Sequence, residues 1–204
     1  MNAHAALVRE LRKRATARPR PPAERPELCD LCGAEIPADH RHLLHLEERR
    51  IACACDACRL LLRGDSPWRP TGTRTLWLDD FALSDSLWAR FGIPIGLAFF
   101  LTRASGGVVA LYPSPAGATE SELDLEAWDA LVAANPSLTG LEPDVEGLIV
   151  NRLAEPHEHA IAPIDECYRL VGLIKASWHG ISGGPNVAAA VQSFFAELRA
   201  KAAV

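Results

Sequence analysis

The 204-residue sequence predicts an α+β fold, in which a small cysteine-rich module precedes an antiparallel sheet with packed helices. Two observations predict this fold. Five of the six cysteines fall within residues 29–58, and four of these form two Cys-x-x-Cys pairs. Beyond them, apolar runs of strand length alternate with amphipathic segments of helix length. Because 49% of the residues are hydrophobic, the chain can bury the core of one or two globular domains.

The cysteine pairs predict a metal site. Each pair supplies two thiolates from one tight turn, and a gap of about twenty residues lets the chain double back around a single tetrahedral ion. The most economical ligand set is Cys29, Cys32, Cys55 and Cys58. In a reducing compartment such a cluster is a metal site rather than a pair of disulfides.

The two halves of this module, residues 28–64, differ in local structure. Gly33 follows Cys32 and suits a knuckle whose amides turn toward sulfur, whereas Cys55 and Cys58 open a helix-like segment that stops at Gly64. Residues 42–46 and 50–53 between them have the pattern of a short hairpin. The order knuckle, hairpin, helix resembles the treble-clef and zinc-ribbon classes of metal module.

Zinc and iron both suit four thiolates. Zinc is favoured because rubredoxin-like iron sites carry two glycine-bearing knuckles and this chain has one. Cys53 is an alternative ligand, or a fifth thiolate of an iron–sulfur cluster, although a small buried residue of the hairpin also fits it. The histidines at 40, 42 and 45 could reach a metal, but with four cysteines available we expect them to be surface or packing residues.

The first 27 residues form a basic, proline-rich arm. They carry seven basic and three acidic side chains, against fourteen and twenty-three in the remainder, which gives net charges of +4 and −9. An acidic body repels phosphates, so we expect no nucleic-acid partner. No apolar run is long enough for a membrane span and no secretory signal is apparent, so the expected location is cytoplasmic.

Residues 70–204 are predicted to form an α+β body that binds a partner, separated from the metal module by a turn-rich linker at 64–72. Strands are expected at 74–81, 95–102, 108–112, 145–153 and 160–164, with a loop at 113–121. Helices are expected at 84–91, 125–134, 165–178 and 185–201. Leu125, Trp128, Leu131 and Val132 should face inward from the second of them.

Three further features of the body are candidates for a metal or ligand site. The pair His157 and His159 can bind metal, yet a histidine-rich turn is usually solvated. Cys167 suits a buried helix position. The segment Ser182–Gly184 before the last helix could hold an anion, but it lacks the lysine of a P-loop. No motif pairs a nucleophile with a base, so an enzyme is not the favoured interpretation.

Several segments together resemble an uncharacterised, mainly actinobacterial family of unknown function with a four-cysteine metal site. They are Cys-Asp-Leu-Cys-Gly (29–33), His-Arg-His-Leu-Leu (40–44), Cys-Ala-Cys-Asp-Ala-Cys (53–58), Ile-Pro-Ile-Gly-Leu-Ala-Phe-Phe (93–100), Tyr-Pro-Ser-Pro-Ala-Gly-Ala-Thr-Glu-Ser (112–121), Asp-Glu-Cys-Tyr-Arg-Leu-Val-Gly-Leu-Ile (165–174) and Ser-Gly-Gly (182–184). Genes of this family are usually found near those of nickel–iron (NiFe) hydrogenases. The resemblance implies a role in serving, assembling or maturing that enzyme, and it assigns no catalytic residue.

Two hypotheses follow. In the first, a metal-stabilised, non-catalytic accessory or subunit-type protein binds a NiFe-hydrogenase subunit or maturation factor, and the ion is Zn²⁺. In the second, the thiolates hold iron, as a rubredoxin-like or iron–sulfur centre, and the protein transfers electrons for the same system. On the first hypothesis the expected contact surface is the side of the body that carries the loop at 113–121, including Glu120, together with Tyr112, Trp128 and the Ser182–Gly184 turn, rather than the metal site.

Overall fold

A computed structural model describes residues 26–62, 64, 66–114, 116–178 and 185–202. The residues expected to form the arm, apart from the last two, lie outside this range, as does the Ser182–Gly184 segment. The described chain is a mixed α/β structure with antiparallel sheets and five α-helices. The prediction of an antiparallel sheet with packed helices is confirmed.

The cysteine-rich module consists of short strands and one helix. Its bounds are β1 (Glu27–Leu28), β2 (Glu35–Ile36), β3 (Arg41–His45), β4 (Arg50–Ala54) and α1 (Asp56–Leu61). β1 pairs with β2, and β3 pairs with β4, both antiparallel. The predicted linker contains a further strand, β5 (Trp68–Pro70), which pairs with the free side of β3. The sheet of the module therefore has three strands in the order β4-β3-β5.

The body is built on a six-stranded antiparallel sheet. Its strands are β6 (Leu76–Trp77), β7 (Leu97–Thr102), β8 (Val108–Ser114), β9 (Gly117–Ser121), β10 (Glu146–Asn151) and β11 (Glu158–Pro163), and their order is β6-β11-β10-β7-β8-β9. Its helices are α2 (Asp85–Arg90), α3 (Leu125–Ala134), α4 (Ile164–Ser177) and α5 (Pro185–Ala202), with a 3₁₀ turn at Pro136–Gly140.

Both faces of this sheet are buried, which explains why its central strands are apolar throughout rather than alternating. One face carries α4 and α5, whose buried residues include Cys167, Leu170, Phe194 and Phe195. The opposite face carries α2, α3 and the 3₁₀ turn. Leu44 of β3 lies in the first of these two cores, so the cysteine-rich module packs on the same face as α4.

Three expectations about the body were wrong in detail. Residues 113–121 are not a loop, because β8 continues to Ser114 and turns tightly into β9. The strand expected at 74–81 is reduced to the two residues of β6. Leu125 is exposed, since it occupies the first turn of α3, while Ala127, Trp128 and Leu131 are the buried residues of that helix.

Helix α4 approaches the sheet most closely at Gly147 of β10. A β-carbon added there would lie 2.8 Å from Cys167 Sγ and 2.9 Å from Leu101 Cδ2. Gly172, in the same helix, has no atom within 4 Å of the equivalent position. Because Gly147 has no side chain, α4 can pack at this short distance from the sheet.

We expect Gly147→Ala to lower the free energy of unfolding by about 1–3 kcal/mol, because the added methyl group overpacks a filled core. The matched variant Gly172→Ala should be neutral or stabilising by about 0.5–1 kcal/mol, as usual for glycine inside a helix. Urea unfolding followed by circular dichroism measures both. Equal midpoints for the two variants would show that α4 does not pack on β10 in this way.

Candidate metal centre

The first half of the candidate site is a knuckle formed by β1 and β2. The amide of Cys29 donates to the carbonyl of Ala34 at 2.8 Å, and the amide of Gly33 donates to the carbonyl of Cys29 at 2.8 Å. Gly33 has a φ of 75°, which a residue with a side chain rarely adopts. The predicted knuckle is therefore present, with Cys29 buried at its base.

The second half is the N-terminus of α1. Cys55 is the N-cap residue in an extended conformation, and its Sγ accepts a hydrogen bond from the amide of Cys58 at 3.4 Å. A cysteine sulfur thus occupies the place that a serine or aspartate side chain has at most helix starts. Cys55 and Cys58 lie in the first turn, as the sequence predicted.

Asp30 aligns the two halves. Its amide donates to the carbonyl of Cys53 at 2.9 Å, and its carboxylate accepts from the amide of Cys53 at 2.7 Å. These two hydrogen bonds connect the knuckle to β4 at Cys53, two residues before Cys55. The sequence analysis did not identify Asp30, and its position inside the first Cys-x-x-Cys pair is the only signal in the sequence.

The structure brings the four predicted ligands together. The sulfur atoms of Cys29, Cys32, Cys55 and Cys58 all lie within 4.8 Å of one another, and Cys32 Sγ is 3.7 Å from Cys55 Sγ. Four sulfurs at about 2.3 Å from a tetrahedral Zn²⁺ are separated by about 3.8 Å. The cluster is therefore of the right size for a metal ion, and none of the cysteines forms a disulfide.

The electrostatics of the cluster also favour a cation. Burial opposes ionisation of Cys29, but amide donors on Cys55, Leu31 and Cys32 outweigh it and lower the pKa of that thiol to about 6. The pKa of Cys58 is raised to about 12, because hydrogen bonds with the side chains of Cys32 and Cys55, and then burial, favour its neutral thiol. Ionisation of one cysteine makes ionisation of its neighbours less favourable, and a divalent ion would offset the repulsion between the thiolates.

Cys53 lies outside the four-sulfur group. It belongs to a second group with His40 and His42, in which one potential ligand atom from each residue lies within 4.8 Å of the others. His45 is not part of either group. Its ring packs edge-on against Trp68 at 4.7 Å and accepts a hydrogen bond from the amide of Glu48.

The other sequence candidates do not form sites within the described residues. His157 pairs with the carboxylate of Glu155 at 2.9 Å, and His159 is buried against the ring of Phe81. Burial, and then the charges of His157 and Arg152, lower the pKa of His159 to about 4, so it is neutral at pH 7. Cys167 is a buried core residue, and burial raises the pKa of its thiol well above the usual value.

The expected contact surface is not a free loop. Trp128 is buried, and Tyr112 packs against the same core. Glu120 accepts hydrogen bonds from Arg49 at 3.2 Å and Arg103 at 3.1 Å, so it joins the turn between β3 and β4 to the body. Trp128 is therefore not available to a partner on this surface, and the carboxylate of Glu120 is already paired.

The chain belongs to a family of unknown function (DUF5947), whose model matches residues 28–202. The match begins one residue before Cys29 and includes both cysteine pairs and the whole six-stranded sheet. Searches of curated proteins and of solved structures found no match. None of the described helices has both the length and the apolar character needed to cross a membrane.

We expect Cys32→Ser and Cys58→Ser each to lose the ion of the four-cysteine site and to unfold the segment 27–62. Structural zinc contributes roughly 10 kcal/mol or more to such modules, and α1 has no buried residue of its own. The sheet of the body should persist. Zinc content and amide hydrogen exchange measure the two effects.

Cys167→Ala serves as the control for these variants, because it removes a buried thiol far from the cluster and should leave the metal content unchanged. The assignment would be refuted by a Cys58→Ser protein with full metal and unchanged exchange protection between residues 27 and 62.

Proposed function

We propose that this member of the DUF5947 family is a non-catalytic accessory or subunit-type protein, in which a zinc ion held by four cysteines organises a treble-clef-like module that binds a protein partner. The partner we propose is a NiFe-hydrogenase subunit or maturation factor, on the resemblance described above. Four thiolates saturate a tetrahedral ion and leave no position for a substrate, which supports a structural role for this ion.

The observation that carries a binding role is the exposed pair of leucines on α1. Leu60 is 62% exposed and Leu61 is 81% exposed, and none of the six residues of this helix is buried. An isolated helix of this length is unstable in water. Its position therefore depends on Cys55 and Cys58, which join it to the ion, rather than on apolar packing.

This arrangement links the metal to binding. Burying two leucine side chains against an apolar surface contributes about 3–6 kcal/mol before the costs of association. The ion would hold the two side chains in a fixed place, so that little ordering is needed when the partner arrives. The net charge of −9 outside the arm supports a protein partner rather than a nucleic acid.

The proposal also includes the identity of the metal and the cellular location of the protein. Zinc is favoured over iron because Cys55 and Cys58 lie on a helix N-terminus, whereas rubredoxin-like sites use a second knuckle. The alternative, a rubredoxin-like or iron–sulfur protein that transfers electrons, is consistent with the amides that donate to Cys29 Sγ. A cytoplasmic location fits thiolates that must stay reduced.

We expect tagged full-length protein to co-purify with a hydrogenase component from its native host, and the double variant Leu60→Ser/Leu61→Ser to lose at least about tenfold of that capture. Both side chains are exposed, so the variant should retain its metal and its thermal stability. Leu125→Ser is the matched control, because Leu125 is 57% exposed on the body, and it should capture normally.

Three results would contradict the proposal in different ways. Capture of no hydrogenase component by the wild-type protein would remove the proposed partner. Equal capture by the leucine variant would remove α1 as the contact. Equal loss in Leu125→Ser would show that general surface polarity, and not this helix, determines the result.

A further inference from the structure

A second cluster of metal-binding side chains lies beside the four cysteines. His40 and His42 are two residues apart along an extended segment, so their side chains point to the same side of it. In the register of the hairpin, Cys53 of β4 is directly opposite His42 of β3. The antiparallel pairing thus places two imidazoles and one thiol together, with potential ligand atoms within 4.8 Å of one another.

Both imidazoles are oriented by carboxylates. His42 Nδ1 is 2.8 Å from Asp165 Oδ2, and His40 Nδ1 is 3.0 Å from Glu27 Oε2 and from the carbonyl of Pro37. Because these partners can only accept, the neutral form of each ring carries its proton on Nδ1 and presents a lone pair on Nε2. A carboxylate on one ring nitrogen is the usual support for a histidine that binds metal through the other.

The second ring nitrogen of His40, Nε2, is buried and has no hydrogen-bond partner among the described residues. The side chain of His40 is 7% exposed. An unsatisfied buried polar atom destabilises a fold, and a bound ion would satisfy this one. The rings of His40 and His42 meet edge-on at 4.7 Å, so a single ion could contact both.

The cluster opens onto a cavity of about 320 Å³ between the module and the body. His40 and His42 line it together with Thr71, Asp165 and Glu166. Three protein ligands leave one position of a tetrahedral ion free, and the cavity beside His40 and His42 has room for a water molecule or another small donor.

We propose that His40, His42 and Cys53 form a second metal site, which takes a borderline-soft divalent ion such as Zn²⁺ and keeps one coordination position for an exchangeable ligand. Imidazole and thiolate together select this class of ion over Mg²⁺ or Ca²⁺. The site is independent of the proposed binding role of α1, since none of its ligands lies on that helix.

A cysteine nucleophile activated by histidine is the competing interpretation of the same residues. One imidazole oriented by Asp165 would be enough for it. A second buried imidazole, with its own carboxylate and an unpartnered Nε2, has no role in that chemistry, whereas it is required for a three-ligand metal site. The metal site therefore accounts for more of what is observed.

The test is a zinc count on the full-length protein after saturation with Zn²⁺ and gel filtration. We expect two ions per chain in the wild type and one in Cys53→Ala and in His40→Gln, with at least about a tenfold rise in the dissociation constant of the second ion. In Co²⁺-loaded Cys53→Ala, the absorption of a four-thiolate site should persist. His157→Gln is the matched control, because it also removes a carboxylate-paired imidazole, and it should bind two ions.

Asp165→Asn keeps all three ligands and should weaken the second ion by about 10–100-fold, so it serves if His40→Gln does not fold. One zinc ion per wild-type chain would overturn the proposal. So would a His40→Gln protein that binds two ions, or loss of the four-thiolate absorption in Cys53→Ala. Alkylation of Cys53 at the same rate with and without Zn²⁺ would favour the nucleophile instead.

Discussion

The convergence of four sulfur atoms at the ends of two short elements is the constraint on which the cysteine-rich module depends. Without a cation, ionising one thiol makes its neighbours harder to ionise, as the opposite shifts in the pKa of Cys29 and Cys58 show. The strands β1 and β2 have two residues each, and α1 buries none. On our proposal, a metal ion supplies the free energy that these short elements cannot obtain from an apolar core.

The module is joined to the body by a small number of specific contacts. Leu44 enters the core shared with α4, His42 bonds to Asp165 at the start of that helix, and Arg49 pairs with Glu120 of β9. These contacts involve β3 and the turn between β3 and β4. On our proposal, this part of the module fixes it to the sheet, the four cysteines hold the ion, and the exposed leucines of α1 bind the partner.

Much of this could be predicted from sequence, because the signals were local. The spacing of the cysteines identified the four sulfurs. In the structure Ser84 caps α2, and the glycines at 106 and 107 have positive φ in the turn from β7 to β8, so both features arise from local sequence. The predictions that failed concern residues whose conformation depends on partners distant in the sequence. β9 was missed because proline and glycine suggested a loop, although pairing with β8 determines its conformation. The grouping of His40 and His42 with Cys53 depends on the hairpin register, and the orientation of His42 depends on Asp165, more than a hundred residues away.

The account rests most directly on the ion in the four-cysteine site. Metal analysis of aerobically purified full-length protein, combined with its visible absorption spectrum, tests this claim. We predict at least one bound zinc per chain and a colourless solution, because Zn²⁺ has a filled d shell. Stoichiometric iron with thiolate-to-iron charge-transfer bands would contradict the zinc assignment and favour electron transfer, and a metal-free protein that remains folded between residues 27 and 62 would contradict the account altogether.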